Sequence, residues 1–150
     1  MISVVSRTVL KRMRTKAQIS FNMSRIKSAG SKIERRMYNA LAGARFHVKK
    51  QPKIFGRPDF VLPRLKIAIF CDSHFWHGYK WKAKQKEIRR NRAFWVSKIL
   101  SNMRRDRTVN RRLRRDGWIV LRFWEHQITQ CAEDCVAKVK QAIAERKNAT

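Results

Sequence analysis

The chain has 150 residues, 43% of them hydrophobic and 10% aromatic, which fits one domain built around a single hydrophobic core. It carries 37 lysine and arginine residues against 10 aspartate and glutamate residues, a formal net charge of +27. Such an excess repels itself in a folded chain, so it indicates a polyanionic partner and argues against a soluble enzyme of neutral metabolites.

The positive charge is spread along the chain rather than gathered in one tail. Residues 1–50 hold 13 basic and 1 acidic side chains, residues 51–100 hold 12 and 3, and residues 101–150 hold 12 and 6. No apolar run reaches the roughly 20 residues that cross a bilayer, so we expect no membrane partner. Three cysteines are too few for a disulfide framework and favour a reducing intracellular compartment, the cytoplasm or nucleoid.

The chain begins with a basic arm. Residues 1–23 lack a clear hydrophobic period, and they predict a segment that nucleic acid orders. Ser31 and Glu34 have the spacing of a capping box, which predicts a helix over about 32–42. The alternation that follows predicts a strand over 45–50.

Two strands of a hairpin come next. Residues 59–62 and 66–72 are apolar runs, and a turn at 63–65 that begins with a proline separates them. Residues 73–91 have no regular period and carry alternating lysines, so they predict a loop that contacts phosphate.

The C-terminal half alternates helix and strand. An arginine-rich helix is predicted over 92–116, a strand over 118–124, and a last helix capped by Thr129. The order α-β-β-β-α-β-α over residues 24–150 predicts one α/β domain with a mixed central sheet flanked by helices.

Two carboxylates in the predicted hairpin are the first candidates for chemistry. Asp59 begins one strand and Asp72 ends the other, so antiparallel pairing brings them to one edge of the sheet. Carboxylates this close repel each other unless a cation lies between them. The pair therefore predicts a site for Mg²⁺ or Mn²⁺, bound together with substrate phosphate.

Seven short segments make the sequence resemble a known family. In chain order they are NMSRIKS at 22–28, IE at 33–34, GRPDF at 56–60, IFCDSHFWHG at 69–78, FWVSKI at 94–99, NMRRD at 102–106 and GWIVLRFWE at 117–125. In order and spacing they resemble the very short patch repair (Vsr-like) endonucleases. The resemblance implies the restriction-endonuclease-like fold of the PD-(D/E)xK nucleases. It also implies Mg²⁺-dependent nicking of one DNA strand 5′ of the thymine in a T·G mismatch.

The resemblance also implies which residues hold the metal. Asp59 would be the main ligand, and the backbone carbonyl of Cys71 would be a second contact. Asp72 occupies a position that is often histidine in the repair enzymes and aspartate in broader relatives, so we expect a metal ligand there too.

The proton chemistry is implied in the same way. His77 would act on the attacking water, with Asp106 orienting its ring, and Glu34 would lie near the shell of metal and water. Glu34 has an alternative explanation, because the capping box with Ser31 already accounts for it.

Aromatic and basic side chains supply the DNA-binding predictions. The resemblance implies that Phe75, Trp76 and Trp95 wedge into the duplex, which costs less beside a mismatched pair. For Trp95, packing in the hydrophobic core is an equal alternative. The side chains expected to contact DNA phosphates are Arg57, Lys80, Lys82, Arg104, Arg105 and Arg107.

The chain departs from this family at two places. The four positions of the family's structural zinc site fall here on His74, Tyr79, Trp81 and His126. Tyrosine and tryptophan are not ordinary zinc ligands, so we expect no zinc. The lysine of a strict D/E-x-K motif is also missing, which leaves His77 as the candidate for moving protons.

Two other functions remain compatible with the sequence. One is a nuclease of the same chemistry from a mobile element, phage or defence system, directed by another protein or nucleic-acid component rather than by a mismatch. The other is a non-catalytic component of a larger nucleoprotein complex, which explains the charge of +27 but gives the acidic residues no role.

Overall fold

A computed structural model describes residues 31–150 of the protein. The arm predicted at residues 1–23 lies outside the described residues. In chain order the elements are α1 (Lys32–Gly43), β1 (Lys49–Lys50), β2 (Phe60–Leu62), β3 (Ile67–Asp72), α2 (Trp81–Lys84), α3 (Arg92–Arg115), β4 (Ile119–Trp124), α4 (Glu125–Gln130) and α5 (Ala132–Asn148).

The four strands form one mixed sheet in the order β1-β2-β3-β4. β1 pairs with β2 and β2 with β3 in antiparallel fashion, while β3 and β4 run parallel and α3 lies between them in the chain. The predicted hairpin, in which Asp59 lies at the start of one strand and Asp72 at the end of the next, is therefore confirmed. The predicted mixed sheet flanked by helices is also confirmed. All six residues of β3 are buried, which is typical of a central strand covered on both faces.

The two faces of β3 belong to two hydrophobic clusters. Ile67, Ile69 and Cys71 pack into the larger cluster, which also contains buried residues of α1 and α5. Ala68 and Phe70 point to the smaller one, which is closed by α3. Because successive side chains of a strand face opposite ways, this one strand ties the helices on both sides to the edge where Asp72 lies.

The first helix matches its prediction, whereas the strand predicted after it is mostly wrong. The hydroxyl of Ser31 accepts the backbone N–H of Glu34 at 3.3 Å, so the cap is confirmed. Only Lys49 and Lys50 of residues 45–50 are strand. Arg45 has a φ of 61°, and the N–H of Phe46 donates to the carbonyl of Leu41, so these residues close the end of the helix.

The prediction that Thr129 caps the last helix is also wrong. Thr129 lies inside α4, where its hydroxyl donates to the carbonyl of Glu125 at 2.9 Å, and α5 begins only after Cys131. The loop predicted over 73–91 contains the short helix α2 and a 3₁₀ turn. No helix among residues 31–150 is long and apolar enough to cross a membrane.

Candidate active site

The β2–β3 hairpin brings the predicted metal contacts together. Asp59 directly precedes β2, and its backbone N–H donates to the carbonyl of Ile69 at 3.0 Å. The carboxylate oxygen Oδ2 of Asp59 accepts the backbone N–H of Cys71 at 2.6 Å. Asp59 and Cys71 are thus neighbours across the hairpin, beside the end of β3 at Asp72.

Close packing fixes the turn that leads into Asp59. Gly56 has a φ of +79°, and a Cβ atom at this position would lie 2.3 Å from Cγ1 of Val109 in α3. Only glycine permits both the backbone angle and this approach. The buried ring of Pro58 follows. The GRPD segment is therefore held against α3, and it places the carboxylate at the edge of the sheet.

The environment of Asp59 favours a bound proton or cation. Burial raises the pKa of Asp59 to about 7, although the N–H of Cys71 opposes the rise, and the charges of Glu34 and Asp72 add to it. Glu34 thus acts electrostatically on Asp59 while its carboxylate accepts the hydroxyl of Ser31 at 3.1 Å. The two explanations of Glu34 offered by the sequence are compatible in the structure.

His77 faces two carboxylates. Its Nδ1 lies 2.7 Å from Oδ2 of Asp106 and 3.6 Å from Oδ1 of Asp72. Burial lowers the pKa of His77, but the hydrogen bond to Asp106 and the charges of both carboxylates outweigh burial, so the pKa is raised overall. With Nδ1 donating to Asp106, Nε2 carries the lone pair of the neutral ring, the arrangement of a general base and its orienting group.

Arg122 joins this group, and sequence reasoning missed it. Its Nη1 lies 2.9 and 3.0 Å from the two carboxylate oxygens of Asp72, and its Nη2 lies 3.4 Å from Oδ1 of Asp106. Burial raises the pKa of Asp72, and the guanidinium offsets part of that rise. The signal available was a single arginine inside the otherwise apolar strand predicted over 118–124. We call Asp72, His77, Asp106 and Arg122 the charged cluster.

The predicted wedge residues lie together on the loop after β3 and on α3. The rings of Phe75, Trp76 and Trp95 contact one another edge to face, with centroids 5.3 to 5.7 Å apart. Phe75 is 46% exposed. The amide of Asn102 donates to the carbonyl of Trp76 at 3.1 Å and so ties the loop to α3. Trp95 is only half-buried, which favours the wedge over the core.

Side chains at three of the four positions that correspond to the family's zinc site contact one another directly. Nε2 of His74 lies 2.7 Å from Nδ1 of His126, and the ring of His74 stacks on Tyr79 with centroids 4.4 Å apart. Tyr79 also meets Trp124 edge to face at 5.1 Å. We call His74, Tyr79, Trp124 and His126 the aromatic cluster. Among residues 31–150, no group of three or more histidine, cysteine, aspartate or glutamate side chains is arranged to hold a metal ion.

Exposed cations line a cavity beside the wedge and lie elsewhere on the surface. A cavity of about 760 Å³ lies between the wedge and the aromatic cluster, with Trp81 in its wall and Lys80, Arg89 and Arg90 also among its lining residues. The six cations predicted to contact phosphate are all exposed: Arg57, Lys80, Lys82, Arg104, Arg105 and Arg107. None of them forms an ion pair with a carboxylate of the described residues.

Comparison with known proteins gives one consistent result. A family model described as DNA mismatch endonuclease Vsr matches residues 12–83. The Type II nicking enzyme V.NmeDIP of Neisseria meningitidis serogroup C is 42% identical over 123 residues, 81% of this chain and 82% of that protein. The chain belongs to the Vsr family. Membership makes it a DNA endonuclease, as its motifs imply.

Two further relatives each match this chain over 70% of their own length. The Type II nicking enzyme V.HpaIIP of Haemophilus parainfluenzae is 43% identical over 98 residues, 65% of this chain and 70% of the relative. The DNA mismatch endonuclease Vsr of Escherichia coli K12 is 36% identical over 111 residues, 73% of this chain and 70% of the relative. The residues matched by the Vsr model include Asp59, Asp72 and His77, whereas Asp106 and Arg122 lie beyond them.

Proposed function

We propose that this Vsr-family protein is a Mg²⁺-dependent endonuclease that nicks one strand of DNA at or near a T·G mismatch. The observation that carries the proposal is the meeting of two devices at one edge of the sheet. Asp59 lies beside the backbone of Cys71, and His77 pairs with Asp106. The first device suits a metal ion and the second suits a proton transfer, the two requirements of phosphodiester hydrolysis.

The donors around Asp59 fit a hard divalent ion. Mg²⁺ prefers oxygen ligands and commonly takes one or two carboxylates, with water and substrate phosphate completing its shell. Asp59 and the carbonyl of Cys71 would hold it. Burial raises the pKa of Asp59, and the charges of Glu34 and Asp72 add to the rise, so a bound cation would stabilise the ionised carboxylate. When bound, the ion would neutralise charge on the scissile phosphate and acidify water. Mn²⁺ has similar ligand preferences and would substitute.

Asp72 is the less direct of the predicted ligands. Both of its oxygens lie within hydrogen-bond distance of Arg122. A metal ion at those oxygens would compete with the guanidinium for the same lone pairs. We therefore propose that Asp59 and Cys71 are the principal contacts, and that Asp72 acts on the site through its charge.

His77 would take the proton of the attacking water. The hydrogen bond from Nδ1 to Asp106 fixes the ring so that Nε2 accepts the proton, and the carboxylate stabilises the imidazolium that forms. Glu34 would help to order water near Asp59, on which its charge already acts. No lysine of the strict D/E-x-K motif is needed in this scheme.

Mismatch selectivity would come from the aromatic wedge. Insertion of Phe75, Trp76 and Trp95 unstacks a base step, which costs a few kcal/mol in paired DNA and less beside a mismatch. The exposed ring of Phe75 is available for this insertion. The Escherichia coli relative is named a mismatch endonuclease, which supports the same specificity here.

The basic surface would supply affinity without reading sequence. Exposed arginines and lysines release counterions from DNA phosphates, so binding should weaken steeply with salt. The three free cysteines suit a reducing compartment that contains DNA, where we expect the protein to act.

A strand-specific nicking assay tests the proposal. Full-length protein with MgCl₂ is incubated with T·G-mismatched and matched duplexes, each strand labelled separately, beside Asp59→Ala and the exposed control Glu133→Ala. We expect a nick only in the mismatched duplex, loss with Asp59→Ala, and no change with Glu133→Ala. Equal cleavage of both duplexes would indicate a Vsr-like nuclease directed by another component. DNA binding without cleavage in Mg²⁺ or Mn²⁺ would indicate a non-catalytic protein.

A further inference from the structure

The guanidinium of Arg122 has a contact for each of its three nitrogens. The side chain is 17% exposed and extends from β4, in the register position opposite Phe70 of β3. Besides its contacts with Asp72 and Asp106, its Nε donates to Oδ1 of Asn110 at 2.7 Å, and its guanidinium lies 4.0 Å from the ring centroid of Phe70. Every nitrogen of the guanidinium thus has a partner, so its orientation is fixed.

The carboxylates that Arg122 holds are also the two that His77 faces. Nδ1 of His77 lies 2.7 Å from Oδ2 of Asp106 and 3.6 Å from Oδ1 of Asp72. A ring nitrogen has a single hydrogen to donate, so only one carboxylate can orient the imidazole. If Asp72 took this hydrogen, the ring would turn and Nε2 would point elsewhere.

Arg122 resolves this competition by geometry. Its guanidinium lies against both oxygens of Asp72 and against Oδ1 of Asp106, and its positive charge makes those oxygens weaker acceptors, so Oδ2 of Asp106 is the preferred acceptor for His77. Its positive charge also lets the two carboxylates lie together with less repulsion. We infer that Arg122 is a positioning residue that makes Asp106, rather than Asp72, the partner of His77. The inference rests on the proposed function, because the orientation matters only if His77 takes the proton of water.

Two variants of Arg122 and a matched control test the inference by kinetics. Arg146 is also a half-buried arginine, but its Nη2 donates to the carbonyl of Gly117 before β4, far along the strand from the charged cluster. We expect Arg122→Met to slow single-turnover nicking about 10- to 100-fold, a usual size for supporting residues. Arg122→Lys should recover part of the loss, and Arg146→Met should keep the wild-type rate. The dissociation constant for DNA should not change with Arg122→Met.

Epistasis separates positioning from a merely structural effect. If Arg122 acts through His77, the double variant His77→Ala/Arg122→Met should be no slower than His77→Ala alone. A further loss in the double variant would overturn the inference, because it would show a route that does not pass through His77. An Arg122→Met rate equal to that of wild type would also overturn it.

The imidazole N–H resonance of His77 gives a readout that needs no activity. We expect a low-field proton signal for Nδ1–H in the wild type, assigned by its absence in His77→Ala. It should move or broaden in Arg122→Met, persist in Arg146→Met, and return in Asp72→Asn/Arg122→Met, where the competing charge is gone. An unchanged signal in Arg122→Met would overturn the inference. Because this arm is independent of cleavage, it decides the inference even if the proposed function fails.

Discussion

Two histidines three residues apart on one loop illustrate how neighbours decide a side chain's role. His77 lies in the charged cluster, where it faces carboxylates and its pKa is raised. His74 lies in the aromatic cluster, where it stacks on Tyr79 and contacts a second histidine. Both clusters lie at the same end of the parallel β3–β4 pair. In the first, the histidine lies between two carboxylates that an arginine also contacts. In the second, the histidine packs mainly among rings, and the nearest carboxylate oxygen, of Glu125, lies 4.0 Å from its Nδ1.

The largest expected effect is a matched pair of histidine substitutions. His77→Ala should reduce single-turnover nicking about 10²- to 10⁴-fold, because a positioned general base contributes on that scale. His74→Ala should change the rate of the folded protein by less than about threefold, since it lies outside the charged cluster. Equal losses for the two variants would show that the aromatic cluster also takes part in the chemistry.

Tyr79→Ala should act on stability instead of chemistry. Tyr79 contacts the rings of His74, Trp124 and His126, so its removal should lower the free energy of unfolding by about 2 kcal/mol. Urea unfolding measures this loss, and Lys140→Ala is the control, because Lys140 is exposed and its removal should cost less than about 0.5 kcal/mol. A Tyr79→Ala protein of full stability but reduced rate would contradict the division between the clusters.

The ionised carboxylate of Asp59, beside the charged cluster, should lower the stability of the metal-free protein at neutral pH. The folded-state pKa of Asp59 is raised from 3.8 to about 7, so the folded state binds the proton more tightly than the unfolded state does. Stability from this group is therefore present below pH 4 and is lost as pH rises to about 7. Asp59→Asn should raise the free energy of unfolding at pH 8 by on the order of 1 kcal/mol.

A pH series of urea unfolding curves, recorded in chelator, measures this effect. The wild type should lose stability relative to Asp59→Asn between pH 4 and 7, and Glu133→Gln is an exposed carboxylate control. A constant difference between wild type and Asp59→Asn across this range would contradict the raised pKa.

The smallest expected effect is that of zinc removal on the aromatic cluster. Incubation with a zinc chelator should leave the melting temperature unchanged, because Tyr79 and Trp81, which are not ordinary zinc ligands, stand at two of the family's four ligand positions. Elemental analysis of the purified protein provides the second measurement. Stoichiometric zinc, or a drop in melting temperature on chelation, would show that His74 and His126 still serve as ligands.

Local patterns predicted those parts of the site that depend on nearby residues. Asp59 and Asp72 are joined by a short hairpin, so strand alternation and one turn were enough to bring them together. The capping box at Ser31 is local in the same sense. His77 and Asp106 came from the resemblance, since no local pattern joins a loop residue to one near the middle of a helix.

The features that the sequence patterns did not predict depend on a distant contact or on competition between local patterns. Arg122 contacts Asp72 across 50 residues, and nothing in an alternating strand marks one arginine as a partner of that carboxylate. The short β1 reflects how Arg45 and Phe46 close the preceding helix, a local capping pattern that competes with strand alternation. Thr129 suits a cap by residue type, but α4 extends from Glu125 to Gln130 and encloses it.

The parallel pairing of β3 with β4 also determines when the site can exist. The partners Asp72 and Arg122 are 50 residues apart, and α3 must be closed into a crossover before they meet. Contacts of this sequence separation form against a large loop-closure entropy and slow folding. The charged cluster is therefore complete only after the most distant strands have docked. A partly folded chain would already carry the positive charge that attracts DNA, yet it would lack the assembled groups that we propose take part in cleavage.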